Sequence, residues 1–275
     1  MEFVFVTDLD GTLLGQETFE FNLIKPEVIS LLDNGHLFVV ASSKTKAEIE
    51  KFCNELGRQV PFIYENGAGI ENLHLVGGRG DIPLMHQNVR AIKTDTILRI
   101  WEWHIPCDLR NCCHFVKDMD KRGQQACLGL RGKDLDRALK RSFSLPFIFS
   151  GSDPQRQRLE HLSTRAGLSI QMGGRVHNLS GCHDKVDYLP EIRRLATQTK
   201  IAPVLIVLGD SKNDIKMLKS ADVSCVIPHQ NGSYLRLEKS PLSTIIAPRA
   251  APFGWLDAVE EAQALFSVKD GVTYG

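Results

Sequence analysis

The sequence has no excess of either charge and no long apolar run. Its 275 residues include 33 lysines and arginines against 33 aspartates and glutamates. This balance removes the broad attraction to nucleic-acid backbones or anionic membranes that a basic protein has, so any phosphate recognition must be local. The apolar run Val204–Leu208 is far shorter than the roughly 20 residues that span a bilayer. We therefore expect neither a nucleic-acid partner nor a membrane partner.

A secretory signal and a regular cysteine pattern are also missing. The N-terminal apolar run is interrupted by Asp8 and Asp10, which makes it too short and too acidic for a signal peptide. The seven cysteines are irregularly spaced, and the adjacent pair Cys112 and Cys113 lacks the spacing of zinc ligands. A chain of this length can bury a core without disulfides. The sequence predicts a cytoplasmic protein with reduced thiols.

The two ends of the chain share one pattern of strands and helices. Apolar runs at 2–8, 36–41 and 61–64 alternate with helical periodicity, and the pattern returns at 204–208 and 223–227. Continuous apolar runs of this length are typical of strands that are buried on both faces of a parallel sheet. We predict an α/β fold with a Rossmann-like, doubly wound parallel sheet.

The middle of the chain differs from its ends. Residues 80–172 mix amphipathic helices with short, strand-like runs, which predicts a separate α+β module inserted into the sheet domain. The predicted core then comprises 1–79 and 173–275. Glycine-rich segments at 77–80 and 173–174 are the expected hinges on either side of the insertion.

Two acidic residues follow the first predicted strand. Asp8 stands at its carboxyl end, the edge at which open α/β sheets bind ligands. Asp10 projects to the same side if extended geometry continues, about 6–7 Å away. Asp8 is therefore a candidate nucleophile with a second carboxylate beside it. An acidic turn is the alternative reading, since Asp-Gly is a common turn dipeptide.

A second acidic pair follows the strand at 204–208. Ser211 and Asp214 match a helix capping box, but capping does not explain Asp210. In a parallel sheet, Asp210 lies on a strand end beside Asp8 and Asp10. Two unit charges 4 Å apart repel by about 4 kcal/mol at an effective dielectric near 20. Carboxylates that share one cleft therefore predict a hard divalent cation, and Mg²⁺ is the simplest choice.

Both acidic motifs resemble signatures of the haloacid dehalogenase superfamily. The run VTDLDGTLL at 6–14 matches its first motif, hhhhDxDGTL, and LIVLGDSKND at 205–214 matches its last, hhhGDxxND. The resemblance implies a Rossmann-like core with a cap of the C2 type, here residues 80–172. It also implies that Asp8 attacks phosphorus and that Asp10 protonates the leaving alcohol and later activates water. Mg²⁺ would be held by Asp8, the Asp10 carbonyl, Asp210 and, through water or indirectly, Asp214.

The superfamily also uses a hydroxyl after the second strand and a lysine. Ser42 aligns best with the phosphate-binding hydroxyl, and Ser43 is a near rival that is equally natural as a helix cap before Thr45. Lys185 is the best candidate for the lysine, although taken alone it reads as a solvated helix residue. Pro190 falls within the helix expected to follow and predicts a kink there.

A closer resemblance is to the mannosyl-3-phosphoglycerate phosphatase family. It rests on SSKT at 42–45 with AE at 47–48, ENGA at 65–68, GGR at 173–175 and GW at 254–255. The resemblance implies substrate contacts by Ser43, Lys44, Asn66 and Arg175. The planar fork of Arg175 suits a carboxylate or phosphate. Loop capping by Asn66 and surface ion pairing by Arg175 are the ordinary alternatives.

The resulting prediction is a Mg²⁺-dependent phosphatase for a small phosphorylated glycoside. Mannosyl-3-phosphoglycerate is the substrate that the resemblance favours, and the product would be mannosylglycerate. Other sugar phosphates, a phosphomutase reaction and a non-catalytic phosphoglycoside-binding protein remain as alternatives. The sequence leaves the oligomeric state open.

Overall fold

The computed structural model of the protein describes residues 2–77, 88–172, 175–199, 203–238 and 243–267. Its strands form two sheets, one of seven strands and one of four. Within these ranges, no helix is both long enough and apolar enough to cross a membrane.

The first part of the chain alternates strands and helices, as its apolar periodicity predicts. Its elements are β1 (Phe3–Thr7), α1 (Lys25–Asp33), β2 (Leu37–Ala41), α2 (Lys46–Leu56), β3 (Phe62–Tyr64), β4 (Gly69–Glu71) and α3 (His74–Gly77). Helix α2 begins at a capping box formed by Thr45 and Glu48 and ends at Gly57 in the left-handed conformation.

The middle of the chain forms the four-stranded antiparallel sheet. Its elements are α4 (Thr94–His104), α5 (Cys107–Arg110), β5 (Cys113–Phe115), α6 (Lys121–Leu128), α7 (Gly132–Ala138), β6 (Ser144–Phe149), α8 (Asp153–Arg165), β7 (Leu168–Met172) and β8 (His177–Gly181). The strand order is β5-β6-β8-β7, and we call these four strands the cap sheet. Ile97, Leu145 and Leu159 belong to the apolar cluster that joins this sheet to α4 and α8.

The chain leaves the cap sheet later than the sequence predicts. The inserted module is predicted to end at residue 172, whereas β8 pairs with both β6 and β7. The short strand before Lys185 is therefore part of the cap sheet. Of the predicted hinges, 78–80 and 173–174 lie outside the described residues. The division of the chain into a catalytic core and a cap stays a prediction.

The last part of the chain returns to the large sheet. After a 3₁₀ turn at Lys185–Tyr188 it forms α9 (Leu189–Thr199), β9 (Val204–Gly209), a 3₁₀ turn at Lys212–Asp214, α10 (Ile215–Lys219), β10 (Val223–Val226), β11 (Ser243–Ile246) and α11 (Phe253–Ser267). Pro190 lies in the first turn of α9, where no intrahelical N–H donor is needed. The chain changes from 3₁₀ to α-helix just before Pro190, and the kink at this residue stays a prediction.

The strand order of the large sheet fixes the position of the acidic residues. The order is β11-β10-β9-β1-β2-β3-β4, with every pair parallel except β3 and β4. Successive residues of β1 enter opposite apolar clusters, Phe5 in one and Val6 in the other. In the register of β1, Thr7 lies beside Leu208 of β9 and Val40 of β2. The carboxyl ends of these three strands therefore meet at one edge, where the chain reverses its direction of winding.

Candidate active site

Three aspartates meet at this edge of the sheet. Asp8 directly follows β1, Asp210 directly follows β9, and Asp214 ends the 3₁₀ turn after β9. All three are buried, and each offers a carboxylate oxygen that lies within 4.8 Å of the other two. The sequence predicts that Asp8, Asp10 and Asp210 share one site. The structure brings Asp8 and Asp210 together with Asp214, while the side chain of Asp10 pairs with Lys44 instead.

The loop after β1 shapes the surroundings of Asp210. The Thr12 hydroxyl donates a hydrogen bond of 2.9 Å to Asp210 Oδ1. Gly11 has a φ of +84°, and a Cβ built on it would lie 2.7 Å from Asp210 Oδ2. Glycine is required here both for the backbone conformation and for the close approach of the two loops. Thr12 lies within the first motif, but no sequence pattern marks its hydroxyl as a partner of Asp210.

Replacing Gly11 with alanine should therefore cost more than the backbone strain alone. Gly57→Ala is the matched control, because Gly57 also has a positive φ but its Cβ would meet no described atom within 4 Å. We expect Gly57→Ala to lower the free energy of unfolding by about 1–2 kcal/mol. Gly11→Ala should lose a further ~1–3 kcal/mol as Asp210 is displaced. Urea denaturation measures both, and equal losses would contradict the role of the contact.

Lys185 lies between two of the aspartates. Its Nζ is 2.6 Å from Asp8 Oδ1 and 2.7 Å from Asp214 Oδ1, and the side chain is 1% exposed. Burial disfavours the ammonium form, but the carboxylates of Asp214 and Asp8 outweigh burial and raise the pKa of Lys185. The solvated-helix reading of this lysine is wrong, because burial of its charge is balanced by two ion pairs.

Asp214 is largely engaged by protein groups. Its Oδ2 accepts hydrogen bonds from the backbone N–H groups of Asp210 and Ser211, while its Oδ1 binds Lys185. The Ser211 hydroxyl adds a third donor to Oδ2. The predicted capping box is present, because the Ser211 side chain accepts from the backbone N–H of Asp214 and the Asp214 side chain accepts from that of Ser211. Within the described part of the chain, Asp8 Oδ2 accepts no hydrogen bond. Compared with Asp214, Asp8 and Asp210 therefore have carboxylate oxygens that are freer to bind a ligand.

This donor set fits a hard divalent cation. Oxygen ligands from closely spaced carboxylates are those that Mg²⁺ prefers. One buried ammonium faces three carboxylates, so a cation would relieve the remaining repulsion. Desolvation by burial is the largest cause that raises the pKa values of Asp8 and Asp210, and the neighbouring carboxylate of Asp214 adds to it while Lys185 opposes it. The net result is a pKa of about 7 for Asp8 and about 8 for Asp210.

The raised pKa values predict how stability depends on pH without metal. Between about pH 4 and pH 8 the folded site holds protons that the unfolded chain has released, so stability falls as pH rises. We expect the free energy of unfolding in EDTA to drop by several kcal/mol across this range, because a pKa difference of one between the folded and unfolded states corresponds to about 1.4 kcal/mol. Mg²⁺ should reduce the drop, because it favours the ionised carboxylates. Denaturant titrations at several pH values test this, and a flat or rising profile in EDTA would contradict it.

Asp10 lies in a different environment from the three-aspartate cluster. Its Oδ2 is 2.8 Å from Lys44 Nζ, and its Oδ1 is buried without a hydrogen-bond partner. Lys44 also lies 3.8 Å from Glu48 and over the ring of Phe19. Although burial lowers the pKa of Lys44, the carboxylates of Asp10 and Glu48 raise it above its usual value. The orphaned oxygen marks Asp10 as a group with spare hydrogen-bonding capacity in the site.

The two candidate serines follow β2 at the same edge. Ser42 is 1% exposed, and its Oγ accepts a hydrogen bond of 3.2 Å from the backbone N–H of Lys44. Its hydroxyl hydrogen stays available for another acceptor. Ser43 is less buried, and its carbonyl accepts from Arg141. The cap of α2 is Thr45, so neither serine serves as that cap.

Asn66 and Arg175 differ in how they relate to the acidic site. Asn66 is buried and accepts a 3.2 Å hydrogen bond from Asn213, next to Asp214. Arg175 is exposed, and its guanidinium lies against Gly129 at the end of α6. None of the described contacts of Arg175 involves the aspartates. Their predicted roles in substrate binding stay predictions.

Known proteins resemble this chain in sequence. A family model described as haloacid dehalogenase-like hydrolase matches residues 5–77. A protein of Persephonella marina is 32% identical over 242 residues, which cover 84% of this chain and 87% of that protein. A protein of Methanococcoides burtonii is 28% identical over 280 residues, or 94% and 96% of the two chains. Both are named glucosyl-3-phosphoglycerate/mannosyl-3-phosphoglycerate phosphatase.

Solved structures share the fold. A Bacteroides thetaiotaomicron protein described among the phosphatases of the haloalkanoate (HAD) enzyme superfamily aligns with a TM-score of 0.62. The two chains are 17% identical, and the alignment covers 98% of this chain and 96% of the other. The likeness confirms the predicted α/β fold with a Rossmann-like sheet.

Proposed function

Because the chain belongs to the haloacid dehalogenase-like hydrolases, we propose that it is a Mg²⁺-dependent phosphatase for a phosphorylated glycoside. The observation that carries the proposal is the buried group of Asp8, Asp210 and Asp214 around Lys185. These carboxylates lie at the edge of the sheet where ligands bind, and they would repel an anionic substrate unless cations offset their negative charge.

In the proposed reaction, Asp8 supplies the nucleophile. Its Oδ2 attacks phosphorus, the bond between phosphorus and the ester oxygen breaks, and Asp10 gives that oxygen a proton. The resulting aspartyl-phosphate is hydrolysed by a water molecule whose proton Asp10 accepts. Lys185 holds the other Asp8 oxygen in place, and the Ser42 hydroxyl donates a hydrogen bond to the phosphoryl group.

The proposed ligands of Mg²⁺ are the carboxylates of Asp8 and Asp210 and the backbone carbonyl of Asp10. Asp214 would bind the ion through water or hold the other ligands in place. When bound, the ion supplies positive charge that offsets the repulsion between the carboxylate and the phosphate. Lys44 and Arg175 are the cations proposed to meet the remaining anionic groups of the substrate.

Polar side chains on one face of the cap sheet favour a substrate that carries hydroxyl groups. Ser144 and Pro146 of β6 lie beside Ser180 and Asn178 of β8 in the register, so these residues share one face. Ser144 contacts Glu65 of the large-sheet domain, so this polar face is directed towards that domain. Sugar hydroxyls pair well with such groups. The names of the relatives favour mannosyl-3-phosphoglycerate and glucosyl-3-phosphoglycerate over other members of this class.

A substrate screen tests the proposal. Phosphate release is measured from both phosphoglycerate glycosides, from simple hexose phosphates and from an aryl phosphate, with Mg²⁺ or with EDTA. We expect the highest kcat/KM for the glycosides and loss of turnover in EDTA. Binding without release from any of these compounds would favour a non-catalytic protein. Transfer of labelled phosphate to another hydroxyl of the product would favour a phosphomutase.

A further inference from the structure

Glu65 links the large-sheet domain to the cap sheet through its side chain. It follows β3 and is 2% exposed. Its Oε1 accepts a 3.0 Å hydrogen bond from the backbone N–H of Ser142. Its Oε2 accepts from the backbone N–H of Phe143 at 3.0 Å and from the Ser144 hydroxyl at 2.6 Å. All three donors belong to the segment that enters β6.

The backbone of Glu65 is held by the segments that carry site residues. Its N–H donates to the carbonyl of Lys44 at 2.8 Å. Its carbonyl lies 2.9 Å from His183 Nε2, two residues before Lys185. The φ of Glu65 is +45°, which is uncommon for a residue with a Cβ and persists only where surrounding contacts hold it. The side chain is therefore aimed at β6 by the same backbone that supports the site.

Arg141 makes a second connection next to the first. Its Nη1 donates to the carbonyl of Ser43 at 3.1 Å and to Ser144 Oγ at 3.0 Å. Since Ser144 in turn donates to Glu65, the guanidinium, the hydroxyl and the carboxylate form one chain of hydrogen bonds across the two parts of the molecule. Charge-assisted hydrogen bonds of this kind are stronger than neutral ones.

From this geometry we infer that Glu65 is a positioning residue that holds the start of β6 against the segments carrying Lys44 and Lys185, and so determines selectivity for substrates large enough to touch both the cap sheet and the aspartates. The inference rests on the proposed function. If the cap sheet moved away, water would replace the three donors of the Glu65 carboxylate. Its charge would therefore not be left buried and unpaired, and the contact can form and break. A small phosphate ester that meets only the aspartates needs no such alignment, whereas a phosphoglycoside needs its sugar and phosphate placed together.

The Glu65→Gln variant tests the contact directly. An amide keeps one acceptor oxygen but places an NH₂ group against an N–H or hydroxyl donor, so at least one hydrogen bond is lost. We expect the amides of Ser142 and Phe143 to exchange with deuterium about tenfold faster or more, with the strands of the large sheet unchanged. Glu71→Gln, which affects an exposed ion pair with Lys46, is the control. Unchanged exchange at residues 142–143 would overturn the inference.

Kinetics separate positioning from a general structural role. Glu65→Gln should lower kcat/KM for the phosphoglycoside about tenfold or more, while kcat/KM for an aryl phosphate stays within about threefold. Equal losses on both substrates would overturn the inference in favour of general destabilisation. Should Glu65→Gln fail to fold, Glu65→Asp keeps the charge but shortens the side chain away from its three donors, and it must give the same split. Failure of the wild type to hydrolyse any ester would refute the proposed function, whereas amide exchange would still test the contact.

Discussion

Replacing Asp8 with asparagine is expected to abolish turnover of every phosphate ester that the wild type hydrolyses. The change keeps the shape of the side chain but removes the nucleophilic oxygen, so no covalent intermediate can form. We expect kcat to fall about 10⁴-fold or more, which corresponds to ~5.5 kcal/mol of transition-state stabilisation. Single-turnover phosphate release with excess enzyme measures the loss separately from product release.

The control for this experiment is Asp33→Asn. Asp33 is exposed and pairs with Arg58 on the surface, so its replacement should leave both turnover and stability nearly unchanged. Thermal unfolding of Asp8→Asn shows whether the site stays folded, because Lys185 keeps Asp214 as a partner. Turnover by a folded Asp8→Asn variant at close to the wild-type rate would refute the proposed mechanism.

Replacing Lys185 with methionine should damage both stability and activity. Methionine has a similar length but leaves two buried carboxylates without their counter-ion. Breaking a buried ion pair in this way costs about 3–5 kcal/mol of unfolding free energy. The loss should be largest in EDTA and smaller with Mg²⁺, since a divalent cation can offset the same charges. Turnover should fall about 10³-fold, because Asp8 loses the group that orients it.

Lys46→Met provides the comparison for the lysine variant. Lys46 pairs with Glu71 on the surface, and such exposed pairs contribute about 0–1 kcal/mol. Urea titrations give the free energy of unfolding of both variants with and without Mg²⁺. If Lys185→Met were as stable as Lys46→Met in EDTA, the two ion pairs of Lys185 would have no energetic importance.

The acidic site could be predicted from sequence because the end of a buried strand is marked by the point at which an apolar run stops. An apolar run that stops at an acid gives Asp8 and Asp210, and the parallel arrangement brings the two together. The position of Lys185 depends on how the chain leaves the cap sheet, and no local pattern records that path. Glu65 belongs to a motif in the sequence, but the motif does not show what its side chain contacts. Its three partners lie about 80 residues further along the chain, beyond the reach of any periodicity.

Helix faces were predictable where spacing alone decides burial. Trp101 and Trp103 are two residues apart in a helical pattern, which predicts that at most one is buried. Trp101 is 3% exposed and Trp103 is 85% exposed, which confirms the prediction. β8 was not recognised as a strand of the cap sheet because it is short and polar, His-Asn-Leu-Ser-Gly. Such a segment carries little of the alternation that marks a strand.

The central position of β1 affects how the chain can fold during synthesis. One neighbour of β1, β2, is made within a few seconds, but the other, β9, follows roughly two hundred residues later. At about 5–20 residues per second, that interval lasts roughly 10–40 s. Meanwhile an apolar strand edge stays unpaired on the ribosome, whereas the cap sheet is complete in sequence before β9 is made. The nascent chain is therefore most prone to aggregation before β9 emerges, and holding chaperones should bind it most strongly then.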